Sequence, residues 1–542
     1  MNIAVRVRLG VALGLSVVVC ATAATARAGT ALIVTGHGWG HGVGMSQWGA
    51  YGYARHGWAY RRILAHYYPG TTMSQVGEMR VRVLLARAAG SVTVGCATPM
   101  RVSDGRRLTR TLAPGTYGVG SRLVFPVRHH GAGHHGAGLS FGRFAVLECD
   151  RAPLELDGRA YHGTLALRTS GRGVSVINGL SLDTYLRGVV PSESPSHWPL
   201  AALEAQAVAA RSYAVAELRP DSWYDLVPTT ADQVYGGVAA ETPRSDRAVY
   251  STLGQVLTWN GRVARTYYSS SSGGRTEAVQ DAWPTASPIP YLRSVPDPYD
   301  TYSPHHDWGP FGFSGPRLAA RLGLGSAIES ASVERNASAR AASVLFHLAS
   351  GAAVSRSGAA IARALHLQST WFSIGDLQLS TSSSHLLYGG RVTVAARAAN
   401  VKGALLEQRS PSGAWRTVRQ LSGPAQLQLE PHASTVFRLV APGTSGTSVS
   451  VAVAPHVQVQ ALSRRLLAGA VSPKPDGAVA VWRLVRGRWR VVAHPILDPS
   501  GKFRTPLTLR PVEYRVTVAA GRLAATQTSL HLTQRMLQSL DR

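Results

Sequence analysis

Apolar and polar positions change rhythm several times along this chain, and each change marks a part of it. An apolar run at residues 11–19 is followed by a block rich in glycine and aromatics, residues 36–72. Over residues 76–175 short alternating runs, such as 79–85, are punctuated by glycine, the pattern of half-buried strands joined by turns. Between 176 and 374 strand and helix patterns mix. The strongest helix spans 199–218, with Ser196 placed to cap it and Pro199 in its first turn. Small and apolar residues occupy nearly every face of that helix, so it is expected to be buried on all sides.

From residue 375 alternation returns, now as a repeat. Gly413-Ala414-Trp415-Arg416-Thr417-Val418 recurs as Gly487-Arg488-Trp489-Arg490-Val491-Val492, and Phe437-Arg438 recurs as Tyr514-Arg515. The fold class expected is an α+β catalytic core with a β-rich insertion, followed by two all-β immunoglobulin-like sandwich modules. The expected divisions are 1–28 leader, 29–75 glycine/histidine block packing on the core, 76–175 insertion, 176–374 core, and modules at 375–455 and 456–542.

Charge narrows the setting. The 542 residues hold 56 Lys+Arg against 29 Asp+Glu, a formal +27. Genomic base composition explains arginine in place of lysine, but not the shortage of acids, so a polyanionic neighbourhood is expected. Arg6 and Arg8 before the short apolar run, with Ala26-Arg27-Ala28 after it, read as a secretory leader. Export makes nucleic acid an unsuitable partner, and the apolar run is too short for a comfortable membrane span, so membrane contact is peripheral at most. The chain is therefore expected to be secreted, in the cell wall or beyond it. Of three cysteines, Cys96 and Cys149 lie beyond the leader, and an oxidising compartment makes a disulfide between them the default.

Candidate chemistry sits in separate blocks. Glu193 lies in Pro191-Ser192-Glu193-Ser194-Pro195, read as a proline-bounded loop where apolar neighbours raise a carboxyl pKa, as a general acid requires. Gln206 and Arg211 interrupt the apolar helix; a buried arginine needs an anionic partner or a ligand. Tyr267, Ser271, Ser272, Gly273, Gly274 and Thr276 combine an aromatic ring, hydroxyls and open backbone, a set suited to a sugar chain. His41 follows His37 at metal-like spacing, but glycines surround both, and the histidines at 129, 130, 134 and 135 read as a solvated hairpin tip. No metal and no cofactor is expected.

Together, residues 185–216, Asp232-Gln233-Val234-Tyr235-Gly236-Gly237 and residues 264–292 resemble the core of the stage II sporulation protein D family, which includes amidase-enhancer proteins of cell-wall lysis. Residues 40–70 resemble that family's closing block, here placed first, as in a circular permutation. The resemblance implies lytic transglycosylase action on peptidoglycan glycan strands, with Glu193 as the single acid/base, Arg211 in the active site, and the remaining polar residues, His41 included, binding substrate. The alternative is a non-catalytic glycan-binding enhancer of a cell-wall amidase. Some family members hold zinc through His and Cys, but both cysteines beyond the leader fall outside the matching blocks.

Overall fold

The computed structural model describes residues 25–106, 108–125, 138–171 and 173–540. The leader up to residue 24 and the histidine run at 129–135 lie outside them. Five helices organise the core: α1 (Gln47–Arg55), α2 (Tyr60–Tyr67), α3 (Leu182–Glu193), α4 (Leu200–Ala216) and α5 (Pro243–Ser251). The sequence of α4 explains its central place. Leu203, Ala207, Ala210 and Ala214 pack on a core shared with α3 and the insertion. On its other side Ala205, Val208 and Ala209 pack with Met45, Ala50, Tyr53, Leu64 and Tyr68 of the N-terminal block. Alanine at these positions allows neighbours to approach on both sides. No described helix is long and apolar enough to cross a membrane.

The N-terminal block is built into the core. Met45–Ser46 runs parallel to Tyr268–Ser269, the Tyr68 hydroxyl donates to Tyr267 O, and Thr72–Gln75 pairs with Gln255–Trp259. The strand Ala31–His37 lies between Asp307–Ser314 and Phe372–Thr381. In that register Gly36 stands opposite Phe372, which is the proximity a permuted block order requires.

Two expected divisions fall inside strands, and a third part pairs across its expected boundary. Residues 374 and 375 both belong to Phe372–Thr381, which bonds to Ala31–His37 on one side and Val392–Ala399 on the other. Residues 175 and 176 lie within Gly173–Ser181, which pairs with Thr164–Ser170 of the insertion and with Arg80–Ala89. Ala26 and Arg27, placed in the leader, pair with Thr381 and Ser380. Composition changes where sheets begin and end, but hydrogen bonding carries single strands across those points.

The insertion is built from a six-stranded, a four-stranded and a two-stranded sheet, and its Cys96 and Cys149 are joined as a disulfide with Cα atoms 6.5 Å apart. Each C-terminal module is a pair of sheets closed over one apolar core. In the first, Phe372–Thr381, Val392–Ala399 and Ala425–Leu429 face Leu405–Arg409, Arg416–Gln420, Thr435–Ala441 and Thr444–Ala454. In the second, His456–Ser463, Leu466–Ser472 and Lys502–Pro506 face Val479–Val485, Arg488–Ala493, Glu513–Val518 and Thr526–His531. In both, leaving aside the short His385–Leu387 added beside Thr444–Ala454 in the first, strands one, two and five form one layer and three, four, six and seven the other. The sequence repeat maps onto equivalent places: Arg438 lies 3.8 Å from the Trp415 ring centroid, and Arg515 lies 4.1 Å from that of Trp489.

Candidate functional site

Ser181 caps α3, its hydroxyl accepting from the Thr184 N–H. The helix continues through Pro191 to end at Glu193, where a loop was expected. A proline this close to the end removes one backbone donor, and the last turn is tied instead by Ser192 Oγ donating to Gly188 O (2.7 Å) and Ser194 N donating to Val190 O (2.9 Å). Glu193 therefore sits at the negative end of a helix dipole, which disfavours its anion.

Three groups hold the Glu193 carboxyl. Val234 N donates to Oε1 at 2.7 Å and Gln47 Nε2 donates to Oε2 at 3.1 Å. The Tyr268 hydroxyl supplies the third hydrogen bond and itself accepts from Gln233 Nε2 (2.8 Å), while Tyr185 donates to Gln233 Oε1 (3.2 Å). Close packing of α3 on residues 235–237 places Val234: a Cβ on Gly188 would lie 2.6 Å from the Tyr235 ring, and one on Gly236 would lie 2.7 Å from Ser192 Oγ. Burial raises the Glu193 pKa above the ordinary carboxylate range, against the three hydrogen bonds, which lower it. Gln47 opens α1, so the N-terminal block reaches the acid directly. Next to it, Trp48 and Tyr51 pack against Trp198 at 4.8 and 5.1 Å between centroids, and Tyr51 meets the exposed Tyr302 at 5.7 Å. The site is a partly accessible carboxyl beside a wall of aromatic rings.

The other expected site residues divide differently. Arg211 is fully buried, and its guanidinium makes five hydrogen bonds: two to Asp183 Oδ1 (2.9 and 2.7 Å), and one each to Thr252 Oγ1 (3.4 Å), Gln255 O (3.2 Å) and Val249 O (3.2 Å). That matches all five arginine donors, so Arg211 braces α3, α4 and α5 and offers nothing to a substrate. Gln206 is buried with neither amide atom hydrogen-bonded among the described residues.

The serine turn also faces inward. Ser271 Oγ donates to Asp300 Oδ2 (2.7 Å), Ser272 Oγ to Asp297 Oδ2 (2.7 Å), and the Gly273 N–H to Asp300 Oδ2 (2.9 Å). The Gly274 N–H donates to Ser272 Oγ (3.1 Å), and Thr276 Oγ1 accepts from Val295 N (2.8 Å). These groups clasp two buried aspartates, leaving Ser271, Ser272, Gly273 and Thr276 no free donor for a sugar. Asp300 also accepts from Ser46 Oγ (2.7 Å) and so anchors the start of α1. Asp297, beside it, has its pKa pushed up to about 7, chiefly by burial and then by Asp300.

His41 Nδ1 accepts from Val43 N (3.0 Å), and burial, reinforced by Arg340, pushes its pKa down to about 4, making it a neutral turn residue. Tyr267 packs against Trp283 and Tyr213, while its chain neighbour Tyr268 turns to Glu193. The sequence reading gave no role to Arg340, whose buried guanidinium lies 3.0 Å from Glu277. A Cβ at Gly42 would sit 2.0 Å from that guanidinium, so only glycine fits there. A zinc site does not fit these residues: Cys96 and Cys149 are in the disulfide, and among the described residues no group of three His, Cys, Asp or Glu side chains could hold a metal ion.

Residues 170–259, which carry Glu193 and Arg211, match the family model described as Stage II sporulation protein. The chain thus carries a domain of the stage II sporulation protein D and amidase-enhancer family. It is 39% identical over 149 residues to the amidase enhancer of Bacillus subtilis (strain 168), covering 27% of this chain and 20% of that protein. It is 34% identical over 147 residues to stage II sporulation protein D of the same organism, covering 24% and 42%. The corresponding Bacillus amyloliquefaciens protein is 32% identical over 174 residues, covering 29% and 49%. The chain thus spans between a fifth and a half of the length of these relatives. Among solved structures, a two-domain fibronectin type III segment of chicken tenascin aligns at 18% identity with a TM-score of 0.18, covering 26% of this chain and 91% of that one.

Proposed function

We propose that this protein is exported and remodels peptidoglycan, cleaving glycan strands as a lytic transglycosylase with Glu193 as its only acid/base. The observation that carries the reading is the Glu193 carboxyl itself, partly accessible, raised in pKa by burial and positioned from three directions. Its proton passes to the glycosidic oxygen as the bond from the anomeric carbon to that oxygen breaks. The 6-hydroxyl of the same muramic-acid ring then bonds to the anomeric carbon, and its proton returns to Glu193. No water is consumed, and the products are a 1,6-anhydro end and a free hydroxyl. A hydrolase of the usual kind needs a second carboxylate about 5–9.5 Å away, whereas this reaction needs one. Trp48, Tyr51 and Tyr302 supply ring faces for sugars next to the acid.

We read the two C-terminal modules as immunoglobulin-like spacers, on the strength of the layer order that seven strands of each share. A second reading, a non-catalytic enhancer of a cell-wall amidase, is favoured by the similarity to the Bacillus subtilis amidase enhancer. The two separate when pure protein is incubated with glycan strands stripped of stem peptides and the products are analysed by mass spectrometry. New anhydro ends support cleavage. Binding without new ends supports the enhancer reading.

A further inference from the structure

The positive charge of the chain is concentrated at its end. Residues 456–542 hold 14 Lys+Arg against 4 Asp+Glu, so this sixth of the sequence carries +10 of the total +27. Within it, the hairpin formed by Val479–Val485 and Arg488–Ala493 contains Arg483, Arg486, Arg488 and Arg490 and no acid. Among the described residues none of these four makes an ion pair.

Arg483 and Arg490 stand directly opposite each other in register. Like charges facing across a strand pair are destabilising, so the hairpin carries a repulsion that its own fold leaves unrelieved. Arg488 and Arg490 share one face, about 7 Å apart at strand spacing, a repeat that suits charges on successive units of an extended chain. The opposite face of the hairpin is aromatic: Trp489 stacks under Arg515, and Trp482 faces Arg515 across the sheet.

The first module provides an internal comparison. There Glu407 stands opposite Arg438, where Trp482 stands opposite Arg515 in the second. Gln408 stands opposite Arg416, where Arg483 stands opposite Arg490. Arg438 is neutralised by Glu407 at 2.6 Å. At two adjacent equivalent positions the second module thus lacks an acid and has gained an arginine.

We propose that the Val479–Ala493 hairpin is a binding site for a flexible polyanion bearing phosphate groups, held by Arg483, Arg488 and Arg490 with Arg486 at the turn. Guanidinium forks pair bidentately with phosphate oxygens, and a bound polyanion removes the repulsion between Arg483 and Arg490.

The test uses the full chain and inorganic polyphosphate. Replacing Arg483, Arg488 and Arg490 together by Gln should weaken binding at least tenfold, while R409Q/R416Q/R419Q in the first module should change it less than twofold. Without polyphosphate, Arg483→Gln alone should leave the melting temperature unchanged or raise it, because it relieves the like-charge pair. Equal losses from both triple variants would attribute binding to overall charge and overturn the site. So would unchanged binding by the second-module variant, or tighter binding of duplex DNA than of polyphosphate.

Discussion

Glu193 and Arg211 show how differently two buried ionisable side chains are employed. Glu193 keeps a partly accessible carboxyl whose pKa burial raises. Arg211 has all five donors engaged inside the protein. From sequence the two look alike, since each is a charge in apolar surroundings; the distinction lies in partners distant along the chain. Gln47, which bonds Glu193, is 146 positions away and follows a glycine-rich stretch that reads as a turn. Tyr268 was displaced by one residue in favour of Tyr267, because a two-residue strand gives no alternation from which to assign faces. Arg211→Ala should destabilise the fold by about 3–5 kcal/mol, the cost of leaving a buried partner uncompensated, as read by denaturant unfolding. Lysine should not restore it, having too few donors for five bonds. A variant of wild-type stability that fails only in glycan binding would instead return Arg211 to the substrate site.

Among the elements, the turn at Ser271–Gly274 joins the N-terminal block to the core through Asp297 and Asp300. With its pKa at about 7 in the fold against 3.8 normally, Asp297 keeps a proton that the unfolded chain has lost. Stability from this group therefore falls as pH rises between about 4 and 7 and levels off above that. Glu277, also pushed up to about 7, acts in the same direction. His41, down to about 4, opposes them, since stability from it rises with pH up to about 6.5. Asp297→Asn retains the hydrogen-bonding shape without the titration. Unfolding free energies measured from pH 5 to 8 should show the variant's curve flatter, by on the order of 2–4 kcal/mol. Parallel curves for both proteins would remove Asp297 from the account. Of the elements themselves, α4 was legible because seventeen residues of small and apolar character leave one physical option. The end of α3 was not, because proline at its third-last position reads as a boundary and a single lost donor was enough to suggest one.

For the whole molecule, the order of the blocks was readable but the seams were not. Texture changes near residue 375, yet the strand Phe372–Thr381 is shared: Ala31 and Ile33 from the start of the chain pack with Leu377, Leu379 and Phe437 in one core. Truncation after residue 455 should leave the core with a cooperative melting transition. Truncation after residue 374 should abolish it, since Ala31, Leu32 and Ile33 then lose their partners Leu377, Asp376 and Gly375. Circular dichroism melts of the two truncated chains would decide this, and a cooperative transition from the shorter one would show that the first module is dispensable for the core.

The central claim is that one carboxyl group performs the cleavage, and Glu193→Gln tests it most directly. Glutamine keeps the size and most of the hydrogen bonding but has no proton to transfer, and general acid–base catalysis contributes about 10²–10⁴-fold. With stripped glycan strands, the rate at which the variant forms anhydro ends should fall by at least about a hundredfold, while its affinity for the strands stays near that of the unmodified protein. Cleavage at the unmodified rate by Glu193→Gln would contradict the account.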